Sequence, residues 1–125
     1  MTKPIKVIQW TTGNIGARSL HGILSRPDME LVGVYAHGAD KVGKDAADLC
    51  GWPEPTGILA TNDIDALLAS GADACAYNPL WQNLDEICAL LAAGINVCAS
   101  AAWINGSKHS AEDLARVEQA CRAGN

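Results

Sequence analysis

The sequence predicts an α/β fold, a Rossmann-type doubly wound parallel sheet of about five strands with helices on both faces. Three observations lead there. A β-branched apolar run, Ile5 to Trp10, enters a glycine turn at Gly13 and Gly16 and continues into a helical pattern from Ile15. The later apolar runs are short, apolar on both faces and separated by helix-period segments, as buried parallel strands require. The composition is 49% hydrophobic but only 5% aromatic, with no Phe, so the core is expected to come from Ala, Val, Ile, Leu and Cys in closely packed helix–sheet layers.

The elements follow in order. After the glycine turn, Ala17 to Ser25 carries Leu20, Ile23 and Leu24 at helical spacing, and Pro27 stops the helix. Glu30 to Ala36 reads as the second strand. His37 to Thr56 is polar and rich in Gly and Pro, a long connection with a helical patch around Asp45 to Cys50. Ile58 to Thr61 is the expected third strand, and Asn62 with Asp65 resembles a capping box for a helix from Asp63 to Ser70. Ala72 to Tyr77 is the fourth strand, ended by Asn78-Pro79. Asn83 and Glu86 repeat the capping signature before a helix whose apolar face is Leu84, Ile87, Cys88 and Leu91, closed by Gly94. Ile95 to Ser100 is the fifth strand. Ala101 to His109 reads as a loop with an Asn105-Gly106 turn, and Ser110 caps a last helix with Leu114, Val117 and Cys121 inward. Right-handed crossovers give the strand order 3-2-1-4-5, which puts the switch point between strands one and four, where Thr11 to Ile15 meets Tyr77 to Leu80.

A chain of 125 residues makes one domain, residues 1–125, and is too short for a cofactor domain plus a full substrate domain. The net charge is −5 with Lys and Arg scattered, which argues against nucleic-acid or acidic-membrane partners. Cys50, Cys75, Cys88, Cys98 and Cys121 are odd in number and never at C-x-x-C spacing, and with His21, His37 and His109 they suggest no metal site. Buried reduced thiols and a cytoplasmic location are expected. Met1-Thr2-Lys3-Pro4 runs straight into a strand, so neither a signal peptide nor a transmembrane helix is read.

The candidate site begins with Thr11, Thr12, Gly13, Asn14, Ile15 and Gly16. They supply the second and third glycines of G-x-G-x-x-G, with Thr11 where the first would stand. In this geometry the second glycine lets backbone approach a pyrophosphate and the third lets helix and strand pack closely. The helix N-terminus turns free N–H groups and its positive dipole end to the phosphates. The Thr11 and Thr12 hydroxyls are expected to bond phosphate in partial compensation; the alternative is an ordinary strand–helix turn that binds nothing. A carboxylate at the tip of strand two would bond the adenosine ribose of NAD, but Tyr35-Ala36-His37-Gly38 has none, and Asp40 is the nearest acid. A 2′-phosphate would meet little repulsion there, with His37, Lys41 or Lys44 as contacts, so NADP(H) is the expected cofactor and NAD(H) the alternative. The competing reading makes the two lysines solvated loop charges. Tyr77, Asn78, Pro79 and Ser100 leave strands four and five where a nicotinamide ribose and ring would lie. Trp52, Trp81 and Trp103 read as packing or interface residues. Asp45, Asp48, Asp73 and Asp85 form no paired-carboxylate arrangement, so no catalytic residue is nominated.

Three segments carry a resemblance: Val7-Ile8-Gln9-Trp10-Thr11-Thr12-Gly13-Asn14-Ile15-Gly16, Val42-Gly43-Lys44-Asp45-Ala46-Ala47-Asp48-Leu49-Cys50-Gly51, and Tyr77-Asn78-Pro79. Over almost the whole chain they resemble the N-terminal cofactor domain of the dihydrodipicolinate reductase-like oxidoreductases, especially 2,4-diaminopentanoate dehydrogenase and related NAD(P)H-dependent amine dehydrogenases. Trp10 stands at the first glycine of the reductase pattern G-x-x-G-x-x-G, and Ala36-His37 replaces its acid and base for the adenosine ribose. The resemblance implies hydride transfer between a nicotinamide and an imine, amine or unsaturated heterocycle on an amino-acid-like substrate. It also implies a C-terminal substrate-binding, oligomer-forming domain that this chain lacks, so the chain alone is expected to bind dinucleotide without turnover. An exposed sheet edge and an apolar face that would meet that domain, with Trp103 and Ile104 near it, are expected to favour self-association. A stand-alone dinucleotide-responsive or protein-interaction module is the competing expectation.

Overall fold

The computed structural model describes residues 3–100 and 110–124. Among them four parallel strands, β1 (Ile5–Trp10), β2 (Met29–Tyr35), β3 (Ala74–Tyr77) and β4 (Asn96–Ala99), lie in the order β2-β1-β3-β4. Five helices accompany them: α1 (Asn14–Leu24), α2 (Ala46–Cys50), α3 (Ile64–Leu68), α4 (Leu84–Ala92) and α5 (Ala111–Gly124). The fold is Rossmann-like. Its switch point lies at β1, where the chain steps to β2 on one side and then to β3 on the other.

β1 is the central strand because its last four residues are buried on both faces. Alternation sends Ile8 and Trp10 to one side, where they join Tyr35, Leu67, Cys75, Tyr77, Ile87 and Leu90 under α3 and α4. Val7 goes to the other side with Leu20, Ile23, Leu31 and Val34 under α1 and α2. Helices thus cover both faces. Gly33 in β2 lets α3 sit close, since a Cβ there would lie 2.6 Å from Leu67 Cδ2. Trp10 stacks on Tyr35 with ring centroids 4.3 Å apart, which fills the sheet centre that a core without Phe otherwise builds from aliphatics.

The sheet has four strands where five were expected, and the missing one is Ile58 to Thr61. Its alternation is real, with Ala60 buried and Leu59 exposed. Its backbone is engaged elsewhere: Ala46 N–H donates to Ile58 O, Ala60 N–H to Lys44 O and Gly43 N–H to Ala60 O. Only Thr61 reaches β2, pairing in parallel with Tyr35, while Leu59 bridges antiparallel to Asp45. The segment therefore lies at the predicted sheet edge but pairs with the connection that precedes it. Asp45 holds that connection. Its carboxylate caps α2 at Ala47 N–H (2.9 Å) and accepts from Thr56 N–H (3.0 Å), Thr56 O–H (2.7 Å) and Gly57 N–H (2.9 Å).

Caps fall close to their predicted places. Asn83 accepts from Glu86 N–H, and Ser110 from Asp113 N–H. For α3 the cap is Asp63, not Asn62, accepting from Ala66 N–H at 3.1 Å. The last helix differs more. Ala120 is its buried residue, while Leu114 and Cys121 are exposed, because α5 packs chiefly on α4. Close approach there depends on small residues: a Cβ on Gly124 would collide with Leu91 O. The expectation of buried thiols holds fully only for Cys75, since Cys50 and Cys88 are half-buried and Cys98 is exposed. The loop from Ala101 to His109, including Trp103, Ile104 and Asn105-Gly106, lies outside the described residues.

Candidate functional site

The turn after β1 is tight and strained. Thr11 takes φ +72°, a left-handed conformation that β-branched residues rarely adopt, and its N–H is held by Tyr35 O at 2.9 Å. This is the position where the fingerprint has its first glycine. Gly16 is buried against that turn, and a Cβ on it would lie 2.3 Å from Thr11 O, so the third glycine serves helix–strand packing. Gly13 has nothing within 4 Å of a built Cβ, which leaves open space above the loop. It is also the N-cap of α1 and provides no side-chain cap, so the first-turn N–H groups remain for a ligand or water.

Two threonine hydroxyls complete the loop. Thr11 Oγ1 and Thr12 Oγ1 are buried and have no hydrogen-bond partner among the described residues. Native structures rarely leave such groups unpaired, and a bound oxygen-rich group is one way to satisfy them.

Two clefts meet at Gly13. The smaller, about 300 Å³, runs from Thr11 and Thr12 to Ala36, His37, Gly38, Asp40 and Lys41. Here Lys41 Nζ donates to Thr12 O at 3.2 Å, and His37 Nδ1 lies 3.2 Å from Tyr35 Oη. The larger, about 520 Å³, is lined by Gly13, Asn14, Ile15, Asn78, Pro79, Leu80 and Ser100. Its rim is apolar and open, with Ile15 62% and Leu80 85% exposed.

The structure thus brings together Thr11, Thr12, Gly13, Asn14, Ile15, His37, Lys41, Asn78, Pro79 and Ser100 around one loop. Gly16 lies behind it. Tyr77 does not join them: alternation at the end of β3 turns its ring into the core, where it is fully buried. Its hydroxyl donates to Glu86 Oε1 at 2.9 Å and accepts from Asn83 N–H at 2.9 Å, and burial pushes the phenol above its ordinary pKa. Lys44 does not line the smaller cleft. Trp52 packs edge-on against His21 of α1, and Trp81 is 82% exposed.

One residue at the site escapes sequence reasoning. Gln9 is fully buried, with Nε2 donating to Thr11 O at 3.0 Å and to Asn78 Oδ1 at 2.8 Å, while Ser19 O–H donates to Gln9 Oε1 at 2.7 Å. The only signal is a lone polar residue in an apolar strand end. Among the described residues no cluster of His, Cys, Asp or Glu could hold a metal, and no helix is long and apolar enough to cross a membrane.

The chain is similar to an amine dehydrogenase and a reductase in sequence and to dehydrogenases and an NAD-binding protein in fold. Over 73 residues it is 36% identical to an amine dehydrogenase from Streptomyces virginiae, spanning 58% of this chain and 20% of that protein. Over 66 residues it is 33% identical to a 4-hydroxy-tetrahydrodipicolinate reductase from Nostoc punctiforme, spanning 52% of this chain and 24% of that protein. Among solved structures, an amine dehydrogenase from Mycobacterium smegmatis superposes with TM-score 0.72 and 20% identity, covering 95% of this chain and 37% of that one. An NAD-binding protein from Listeria innocua does so with TM-score 0.67 and 17% identity, over 99% of this chain and 33% of that one. These likenesses establish the Rossmann-like fold. The matched stretches are about a quarter or less of the two sequence relatives. No family model matches the chain.

Proposed function

We propose that the chain is the nicotinamide dinucleotide-binding domain of an oxidoreductase that moves hydride between its cofactor and an imine, amine or unsaturated heterocycle on an amino-acid-like substrate. The observation that carries this reading is the loop itself: two orphaned threonine hydroxyls and an uncapped α1 N-terminus around an open Gly13. These groups fit a pyrophosphate in charge and hydrogen-bond sense. Similarity to an amine dehydrogenase and a reductase supports the reaction class. A bound nicotinamide supplies the hydride chemistry.

The chain's own residues hold and orient. Thr11, Thr12 and the first-turn amides of α1 take the phosphates. His37 and Lys41 take the adenosine ribose end, and Asn78, Pro79 and Ser100 the nicotinamide end. Proton transfer and substrate contacts belong to a C-terminal domain of the intact enzyme, so residues 1–125 bind cofactor without turnover. The odd, unpaired cysteine set suits a reducing cytoplasm.

NADP(H) is the proposed preference, because Ala36 leaves the strand tip without a carboxylate and Lys41 stands on the cleft. Asp40 lines the same cleft and is the observation favouring NAD(H). Calorimetric titration of the chain with NADPH and NADH tests both points. Tighter NADPH binding, lost in Lys41→Ala by about tenfold, is expected for a charge-assisted contact. Failure of both nucleotides to bind at millimolar concentration contradicts the proposal.

A further inference from the structure

A hydrogen-bonded line crosses the sheet end from α1 to the larger cleft, and its polarity is forced from the buried end. Gln9 Nε2 lies 3.0 Å from Thr11 O and 3.4 Å from Trp10 O. Both are main-chain carbonyls, which only accept, so the amide atom facing them is the nitrogen. Gln9 Oε1 is thereby left to accept the Ser19 hydroxyl at 2.7 Å. The same nitrogen meets Asn78 at 2.8 Å, so the Asn78 atom there is Oδ1, and Asn78 Nδ2 is turned to donate to Ser100 Oγ at 3.0 Å. Two hydrogens remain at the end of the line, the second N–H of Asn78 and the O–H of Ser100. Both residues line the larger cleft.

We infer that Gln9 is a positioning residue that sets the hydrogen-bond polarity of this end of the cleft, committing the free N–H of Asn78 to donate, so that the subsite takes an acceptor oxygen. The inference rests on the dinucleotide reading above. The oxygen is the carboxamide carbonyl or a ribose oxygen of the nicotinamide half.

The test compares NADPH with 2′,5′-ADP, which lacks the nicotinamide half, by calorimetry on the 125-residue chain. The readout is the ratio of the two affinities. Asn78→Asp leaves an acceptor for Gln9 but removes the amide donor from the cleft, and Gln9→Glu forces the Asn78 amide to turn over. Each is expected to lower the ratio about tenfold, the worth of one well-made hydrogen bond, with no further fall in the double variant. Should Gln9→Glu not fold by circular dichroism, Gln9→Met removes the donor without adding charge and is expected to lower the ratio about threefold. If Gln9 is only structural, its variants change both affinities together and leave the ratio at the wild-type value, which overturns the inference. An unchanged ratio in Asn78→Asp does the same. With the ratio lowered, weaker binding of thionicotinamide-NADPH to the wild type assigns the carboxamide carbonyl, and equal binding assigns the ribose. Wild-type chain that binds neither NADPH nor NADH removes the dinucleotide reading itself, whereas binding with unmoved ratios removes only the polarity.

Discussion

Thr11 is the sole non-glycine residue with positive φ among those described, and it also carries a buried hydroxyl without a partner. Left-handed backbone costs a β-branched residue roughly 1–2 kcal/mol, so Thr11→Gly is expected to raise stability in urea denaturation by about 1 kcal/mol once the flexibility of glycine is offset. The same change removes a hydroxyl offered to phosphate, and NADPH should bind about threefold more weakly. Gly16→Ala acts in the opposite direction: its Cβ would meet Thr11 backbone at 2.3 Å, and a loss of about 1–3 kcal/mol is expected in the same assay. Gly16 was legible because a turn before a helix asks for glycine at that spacing. Gln9 was not, since the partner that gives it meaning is 69 residues away. The inward turn of Tyr77 was not legible for a related reason: sequence adjacency to Asn78 does not say which face of the sheet a strand's last side chain takes, and the period of two sends it into the core.

At the scale of elements, helices and their caps were legible because short-range chemistry decides them, as Asn83, Ser110 and Asp63 illustrate within a residue. Ile58 to Thr61 was not, because its alternating pattern fits any ribbon and the choice of partner was made by residues 43–46. Asp45 makes that choice durable. Hydrogen bonds from Ala47, Thr56 and Gly57 hold its carboxyl well below the ordinary carboxylate range. A group whose folded pKa is lowered stabilises fully above its unfolded value and loses that contribution as pH falls through the folded one. Amide exchange at Ala47, Thr56 and Gly57 should therefore be protected at neutral pH, and the protection should decline only under acid conditions, below the carboxyl's ordinary pKa of 3.8. In Asp45→Asn the protection should be weaker and flat with pH; a wild-type profile equally flat down to strong acid would contradict this role.

For the whole molecule, β4 is one of the two outer described strands, and its residues Asn96 and Cys98 are exposed. An uncovered strand edge invites pairing with a second copy, and a lysine there opposes it. Light scattering should show mass rising with concentration for the wild type and a lower mass for Cys98→Lys; a monomer at every concentration contradicts self-association through this edge. The loop and the two clefts that meet at Gly13 form one path on which a dinucleotide would lie. Backbone amide NMR during titration with NADPH tests it most directly. Shifts should concentrate at Thr11 to Gly16, at His37 to Lys41 and at Asn78 and Ser100. They should leave the α4–α5 face unmoved. An absence of shifts at millimolar NADPH and NADH, or shifts centred on α4 and α5, would contradict it.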